Sequence, residues 1–529
     1  MVDARQKRHG LVFVTLFCLL AGNIHADEQL VFGSFQNSQN ATNWASRVGL
    51  LLDVDVAVER MEDADGVWYR VVTAVLTDPA AEKVKRVASA NQLRYWNITE
   101  ANTTVVASVA NPQAPVRSAP AVRPTESLSE ASVQNTGQGR ERFRSVDLDL
   151  GIETRTFFES GKDGQSQFHP ALSLQMDLYR SWDNEQQSFT FTPFYRFDAE
   201  DSERTHFDVR ELFWSRVGDD WDLHLGVRQV FWGVTEFSHL VDIVNQTDLV
   251  ENIDREEKLG QPMAHLSVIR DWGILDIHLL TGFRERTFPG TDGRLRPALE
   301  IDTDHATYES AAEELRTDGV IRWSHRLGPM EFGLYQFSGT SRDPEFQLVQ
   351  QPDGEFVLRP HYPVIDQTGF DAQAIFGDWA WKLEAINRSG FGDRYYAYNA
   401  GFERTLVGVM GSRTDLGLVV EYLYDERQEE AFNTLFEHDL AVGTRWNLND
   451  VNDSQALFGV IWDVETDEYI VKLEASRRLG DTWTLLIEGR AFGGADEPDN
   501  IFDTLFDPDA KSAAVQDDDF IQLELTRYF

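Results

Sequence analysis

Cysteine is almost absent from this sequence: Cys18 is the only one among 529 residues. It sits inside a short apolar run near the N-terminus, so the rest of the chain has no thiol for a disulfide or a cysteine metal site. Long apolar runs are missing as well. Residues 11–22 form the apolar stretch, too short for a spanning helix of roughly 20 residues, and nothing downstream is long enough either. Basic charge is scarce, 48 Lys and Arg against 88 Asp and Glu, for a net charge of -40. A surface of that sign excludes nucleic acid as a partner, because phosphates require a basic face. Common catalytic signatures are lacking too: there is no Gly-x-Ser-x-Gly elbow, no His-Glu-x-x-His and no glycine-rich phosphate loop. These absences lead to the expectation of a protein that is not an enzyme and carries no cofactor or metal.

Arg5, Lys7, Arg8 and His9 precede the apolar run, and Ile24-His25-Ala26 follows it as a cleavage-like site. This is the order of a secretory signal over residues 1–26, with the exported chain starting at Asp27. Export without a later spanning helix leaves a soluble protein or a β-barrel, the other architecture that satisfies every backbone hydrogen bond in lipid. Composition then divides the remainder. Residues 27–102 mix strand and helix patterns. Residues 103–143 are rich in Ala, Pro, Ser, Thr, Val and Gln, with Pro112, Pro115, Pro120 and Pro124 closely spaced. Such a segment buries no core and reads as a flexible tether, reaching roughly 100 Å when extended. Residues 144–529 are strand after strand, with Gly, Asp and Asn at the breaks.

Within the first region, 30–35, 54–60, 68–76 and 93–98 read as strands. Residues 40–52, with Trp44, Val48 and Leu51 on one face, and 80–91, opened by Asp78-Pro79, read as helices. The order is β-α-β-β-α-β with an internal half repeat, and the strand motifs are Val31-Phe32-Gly33-Ser34-Phe35 and Trp68-Tyr69-Arg70-Val71-Val72. Order and motifs together resemble the SPOR domain, a small periplasmic module that binds peptide-stripped peptidoglycan glycan strands. The resemblance implies a glycan-holding sheet face at Ser34 and Trp68, with Trp96 on the last strand. Two departures stand against close correspondence: Val31 where the family often has Gln, and Ala74-Val75 in place of Gly-Pro.

From residue 144 about 18 strands are expected, from 144–157 to 517–529, or 16 if 394–406 and 412–426 are irregular. The connections 183–186, 218–219, 271–272, 327–329, 377–378 and 480–481 are short, whereas 233–261, 285–316, 341–366 and 493–516 are long, and all the long ones fall on one side. Sorted loops are the topology of a transmembrane antiparallel barrel. Alternation places Phe189, Phe191, Tyr195 and Phe197 opposite Thr190, Thr192, Arg196 and Asp198, so the polar set is expected to line a lumen. The candidate pore-lining residues are Arg155, Arg196, Arg210, Asp222, Arg228, Arg322 and Arg326, interleaved with Glu153, Asp198 and Asp208. So many inward arginines suggest a preference for anionic solutes.

The final strand, 517–529, stops on Phe529 and resembles the C-terminal signal by which bacterial outer-membrane barrels are handed to the barrel assembly machinery. Gly226-Val227-Arg228-Gln229-Val230-Phe231-Trp232-Gly233, followed by Asp242, Asn245 and Asp248, resembles a motif of porin-like barrels, in which a strand end leads into a long loop at the mouth. These resemblances imply an outer-membrane channel for small solutes, among outer-membrane lipids and lipopolysaccharide, with its N-terminal domain in the periplasm on peptidoglycan. The alternative is a plugged, non-conducting barrel that anchors the envelope.

Overall fold

The computed structural model describes residues 28–35, 48, 52, 54, 56–63, 66–74, 76, 84–85, 96–99 and 145–529, except 184–185, 428–435 and 496–510. The expected signal (1–26) and tether (103–143) lie outside the described residues. The N-terminal region and the barrel are separate units.

The N-terminal unit is a four-stranded antiparallel sheet of β1 (Glu28–Phe35), β2 (Val56–Asp63), β3 (Gly66–Thr73) and β4 (Trp96–Thr99), in the order β2-β3-β1-β4. The strands fall where alternation places them. Val48, Leu52, Val84 and Lys85 are helical, inside the two expected helices. Leu30, Phe32, Val48, Leu52, Val71 and Val84 form the core. Ser34 faces Arg70 across β1–β3, and Val31 is the partner of both Val72 and Trp96. Register therefore puts positions 34, 68 and 96 on the sheet face opposite that core. Val31 and Val72, which share this face, are buried.

The second unit is a closed antiparallel barrel of 18 strands. Its first half comprises β5 (Ser145–Phe157), β6 (Phe168–Trp182), β7 (Gln187–Asp198), β8 (His206–Val217), β9 (Trp221–Arg228), β10 (Gln261–Arg270), β11 (Gly273–Leu280), β13 (Asp318–Leu327) and β14 (Met330–Thr340). The second half comprises β17 (Val364–Phe376), β18 (Trp379–Ser389), β19 (Tyr395–Leu406), β20 (Asp415–Asp425), β21 (His438–Asn447), β22 (Gln455–Asp463), β23 (Tyr469–Leu479), β24 (Trp483–Gly493) and β25 (Phe520–Tyr528). The barrel closes by pairing its last strand with its first, Gln522 opposite Arg155 and Glu524 opposite Glu153, and the Phe529 N–H reaches the Leu148 carbonyl at 3.0 Å. The count of 18, including both doubtful strands, matches the larger expectation.

The longest connections, 229–260, 281–317, 341–363 and 494–519, all lie at one end, as the sequence sorts them, although 390–394 and 464–468 at that end are shorter than 407–414 at the other. The fifth strand ends at Arg228, earlier than the alternation suggests, and residues 229–260 leave the wall. Two long loops also contain structure that the sequence reading passed over: β12 (Thr307–Tyr308), β15 (Glu345–Gln350) and β16 (Phe356–Tyr362) form a small sheet. The alternation in 345–350 and the turn signal Pro352-Asp353-Gly354 were the available clues.

Alternation decides the two faces. Ile152, Leu174, Ile277, Leu383, Val442 and Leu523 are exposed on the outside of the wall; Trp272, Phe376, Trp381, Trp446 and Phe529 are exposed near the short turns, and Phe168, Phe207, Tyr396, Trp462 and Tyr469 near the long loops. An apolar band between two aromatic girdles matches the depth profile of a bilayer. Inward neighbours are polar and buried: Glu153 and Arg155 beside exposed Ile152, Arg196 and Asp198 beside exposed Tyr195 and Phe197. Pro193, which has no N–H for the ladder, sits at a bulge. There Thr192 pairs with Glu211 and Pro193 with Val209, so Arg210 is the extra residue of β8.

Leu383→Arg places a charge in the middle of the outer band. Its expected cost is about 2–4 kcal/mol, measured as a fall in the urea unfolding free energy in lipid vesicles; an unchanged value would mean that the face is not lipid-facing.

Candidate functional site: a segment folded into the lumen

Residues 229–260 run from β9 into the barrel and back to β10, and their two arms are held by different forces. The first arm is held largely by burial. Trp232, Val241, Ile243 and Val244 pack on the inward side chains of Met263, Leu280, Val320, Tyr335, Phe337, Ile365 and Ile386. Each apolar side chain so buried contributes about 1.5–3 kcal/mol. The Arg322 guanidinium lies 4.8 Å from the centre of the Trp232 ring, stacked on its face.

Two wall carboxylates with no exposed surface fix the turn of this arm. Glu384 on β18 accepts the N–H groups of Val234 (2.6 Å), Thr235 (3.0 Å) and Val241 (3.3 Å), and the Thr235 hydroxyl at 2.7 Å. Glu421 on β20 accepts those of Glu236 (2.8 Å) and Phe237 (3.0 Å). Several donors on one carboxylate replace its water and are stronger than neutral pairs. Phe237 then lies over two wall glycines: a β-carbon at Gly443 would come within 2.8 Å of the ring, and one at Gly459 within 2.4 Å. Glu236 pairs with Arg445.

The returning arm is held by charge. Asp248 meets Arg210 at 2.6 Å, Glu251 meets Arg196 at 2.8 Å, and Asp254 meets Arg490 at 3.0 Å, while Asn252 donates to Glu488 at 2.9 Å. Arg196 and Arg204 both also reach Glu153, at 2.6 and 2.8 Å. Two of the motif residues singled out in the sequence, Asn245 and Asp242, tie the arms together. Asn245 accepts the Val230 N–H and donates to the carbonyls of Arg228 and Leu259. Asp242 pairs with Lys258 at 3.1 Å, and Asp248 also accepts the Thr287 hydroxyl.

Burial first, and then the neighbouring Glu488, push the Asp254 carboxyl up to about 7. For His239 burial works against the charge, but Glu256 at 3.3 Å and Glu384 outweigh it and hold the imidazolium well above its usual range. The reciprocal effect brings Glu256 down to about 2, its burial outweighed by His239.

The expected lumenal residues separate into three places. Arg155, Arg196 and Arg210 converge on the returning arm, where Arg155 donates to Gln522 at 2.9 Å and to the Glu251 carbonyl. Arg228 and Arg322 lie by the first arm: Arg228 reaches His265 at 2.7 Å, and Arg322 pairs with Asp371 at 2.7 Å. Asp222, opposite Ser267, and Arg326, which donates to the Gly328 carbonyl at 3.2 Å, lie nearer the short turns. Glu384, Glu421, Arg445, Glu474, Glu488 and Arg490 were not singled out, although strand alternation would have turned each of them inward.

Between the returning arm and the wall of β23, β24, β25 and β5 remains a cavity of about 100 Å³. Its carboxylates are Glu153, Glu236, Glu251, Asp254, Glu256, Glu257, Glu474, Glu488 and Glu524, and its cations Arg196, Arg204, Arg445 and Lys472, with His239 beside them. His206, Asp248 and Glu251 also come together, with the His206 Nε2 3.4 Å from Glu251 and 3.8 Å from Asp248. The nearest oxygens already receive Arg196 and Arg210, so this trio fits an ion-pair network and not a metal site.

No protein-family model matches the chain, and a search of curated proteins finds no match either. Among solved structures it is similar to OccD3 of Pseudomonas aeruginosa, at 10% identity and a TM-score of 0.41, over 73% of this chain and 90% of that one. It is similar to a BenF-like porin of Pseudomonas fluorescens at 7% identity and 0.42, over 73% and 97%. It is also similar to Wzi of Escherichia coli, described as a carbohydrate-binding β-barrel involved in group 1 capsule assembly, at 8% and 0.44, over 72% and 84%. The likeness is one of barrel outline.

Two outcomes follow from this geometry. Gly459→Leu fills the space of Phe237, and together with Glu421→Gln it frees the turn of the segment. Protease cleavage at Arg255 or Lys258 in the folded, detergent-solubilised protein is then expected to rise at least about tenfold, the equivalent of losing about 1.5 kcal/mol of anchoring; unchanged protection would show that the anchors are dispensable. For Asp254 the folded carboxyl holds its proton to a higher pH than the unfolded one, so stability is fully present below about pH 4 and is lost as pH climbs to about 7. The urea unfolding free energy of the native protein is expected to fall relative to that of Asp254→Asn over this window, with a slope approaching 1.4 kcal/mol per pH unit. A pH-independent difference would contradict the assignment.

Proposed function

We propose that the chain is a bacterial outer-membrane channel for small solutes, fastened to the cell wall by its N-terminal unit. The observation that carries the channel is the cavity beside the returning arm: the inserted segment narrows the lumen and leaves a charged space against the wall of β23–β25 and β5. The apolar band between two aromatic girdles supports a barrel embedded in lipid, with the short turns in the periplasm and the long loops facing out toward lipopolysaccharide. Strand β25, which closes the barrel against β5, is the element offered to the assembly machinery. For the N-terminal unit, the strand order and the common face of positions 34, 68 and 96 support the SPOR resemblance. Peptidoglycan glycan strands are its partner in this reading, with Trp68 and Trp96 stacking on sugar rings and Ser34 meeting their hydroxyls.

A second reading has its own support. The buried apolar core of the first arm is characteristic of a fixed plug, which would make the barrel an envelope anchor. Full-length protein in a planar bilayer separates the two: discrete conductance steps are expected of the channel, and a silent bilayer with a folded barrel would favour the anchor. For the tether, full-length protein in detergent is expected to cosediment with amidase-treated sacculi, with at least about tenfold weaker binding after Trp68→Ala combined with Ser34→Ala, typical of lost stacking and hydrogen bonds. Undiminished binding would remove the glycan assignment.

A further inference from the structure

The inward arginines invited an anionic solute, but their charges are engaged in holding the wall and the segment: Arg196 with Glu153 and Glu251, Arg210 with Asp208 and Asp248, Arg322 with Asp371. The register of the strands on the cavity side shows a different pattern. Asp439 of β21 is directly opposite Asp463 of β22, and Glu474 of β23 opposite Glu488 of β24. Glu524 of β25 is opposite Glu153 of β5, and Asp147 of β5 opposite Asp177 of β6. Directly opposed like charges destabilise a strand pair, yet the arrangement recurs along one contiguous stretch of wall, from the long-loop end to the short-turn end.

Basic side chains offset part of it. Arg490 reaches both Glu474 and Glu488, and Lys511 reaches Asp463. The cavity balance nonetheless stays negative: with Asp254 set aside as protonated and His239 counted as a cation, eight carboxylates face five cations. At the outer end Asp439 is 4% exposed, and its Oδ2 accepts no hydrogen bond from the described residues. A buried carboxylate oxygen without a donor is a position that a cation satisfies.

We propose that this wall is a cation track: the lumen passes small monovalent and amine-bearing cations in preference to anions, with the opposed carboxylates standing in for part of their hydration shell. This rests on the channel reading above. Rows of Asp and Glu select cations because the low-dielectric wall focuses their field into the narrow space, which raises the local cation concentration and excludes anions.

The test is the reversal potential of the full-length protein in a planar bilayer across a tenfold KCl gradient. The expected sign is that of K⁺ permeation, with K⁺ favoured over Cl⁻ by about threefold or more, and Glu474→Gln with Glu524→Gln moves the ratio toward one. A preference for Cl⁻, or a ratio untouched by the double variant, overturns the proposal. If that variant does not fold, Asp147→Asn with Asp177→Asn carries the same comparison. A silent bilayer counts against the channel and leaves the track to a second measurement, the urea midpoint of the detergent-folded protein with spermidine against NaCl of equal ionic strength. A rise with spermidine supports cation occupancy of the wall, and no rise overturns it.

Discussion

Closure of the sheet is the constraint from which the rest follows. When the last strand pairs with the first, every strand of the wall has two neighbours and the backbone has no edge left to offer. Side-chain alternation is then the only freedom, and in lipid its sense is dictated: apolar groups must face out, and polar groups can only face in. The price is a lumen crowded with charge and little bulk water. Anything folded into that lumen has to satisfy the wall, and the wall has to satisfy it.

The inserted segment does this with two kinds of interaction because the wall around it is of two kinds. Where inward positions are apolar, as at Met263, Leu280, Val320, Phe337 and Ile386, the segment supplies Trp232, Val241, Ile243 and Val244. Where they are arginines, it supplies Asp248 and Glu251. Buried ion pairs add little net stability over apolar packing, because desolvation consumes most of the Coulomb gain, but breaking one partner away is costly. The charged arm is thus held in one register without a large gain in stability, and the apolar arm provides the adhesion. Glu384 and Glu421 act between them, where backbone N–H groups turn toward the wall and neither carboxylate has exposed surface.

Much of the barrel was legible in the sequence because period-two alternation and loop sorting depend only on local residue type. Strand ends were placed to within a few residues, and both doubtful strands, 395–406 and 415–425, proved regular. Residues 229–232 were read as strand because Phe231 and Trp232 continue the alternation; what removes them from the wall is the core waiting inside the lumen, a tertiary effect that no local pattern carries. For the same reason the inward arginines were identified but their meaning was not. Facing inward is a property of one strand, whereas being neutralised by Glu251 or Asp248 depends on a loop that returns from elsewhere. Asp242, Asn245 and Asp248 were visible as a motif, and only three dimensions show Asp242 and Asn245 tying the two arms together while Asp248 holds the returning arm to Arg210 and Thr287.

The placement of the cavity follows from the same division. The apolar arm packs against the side of the lumen lined by β10 to β19, where its side chains are buried among the inward apolar residues of the wall. The charged arm cannot pack against the other side in the same way. Its carboxylates meet not only arginines but also Glu474, Glu488 and Glu524, and like charges keep side chains apart even where the backbone would allow contact. The cavity beside the returning arm is therefore a consequence of where the carboxylates lie along the strands.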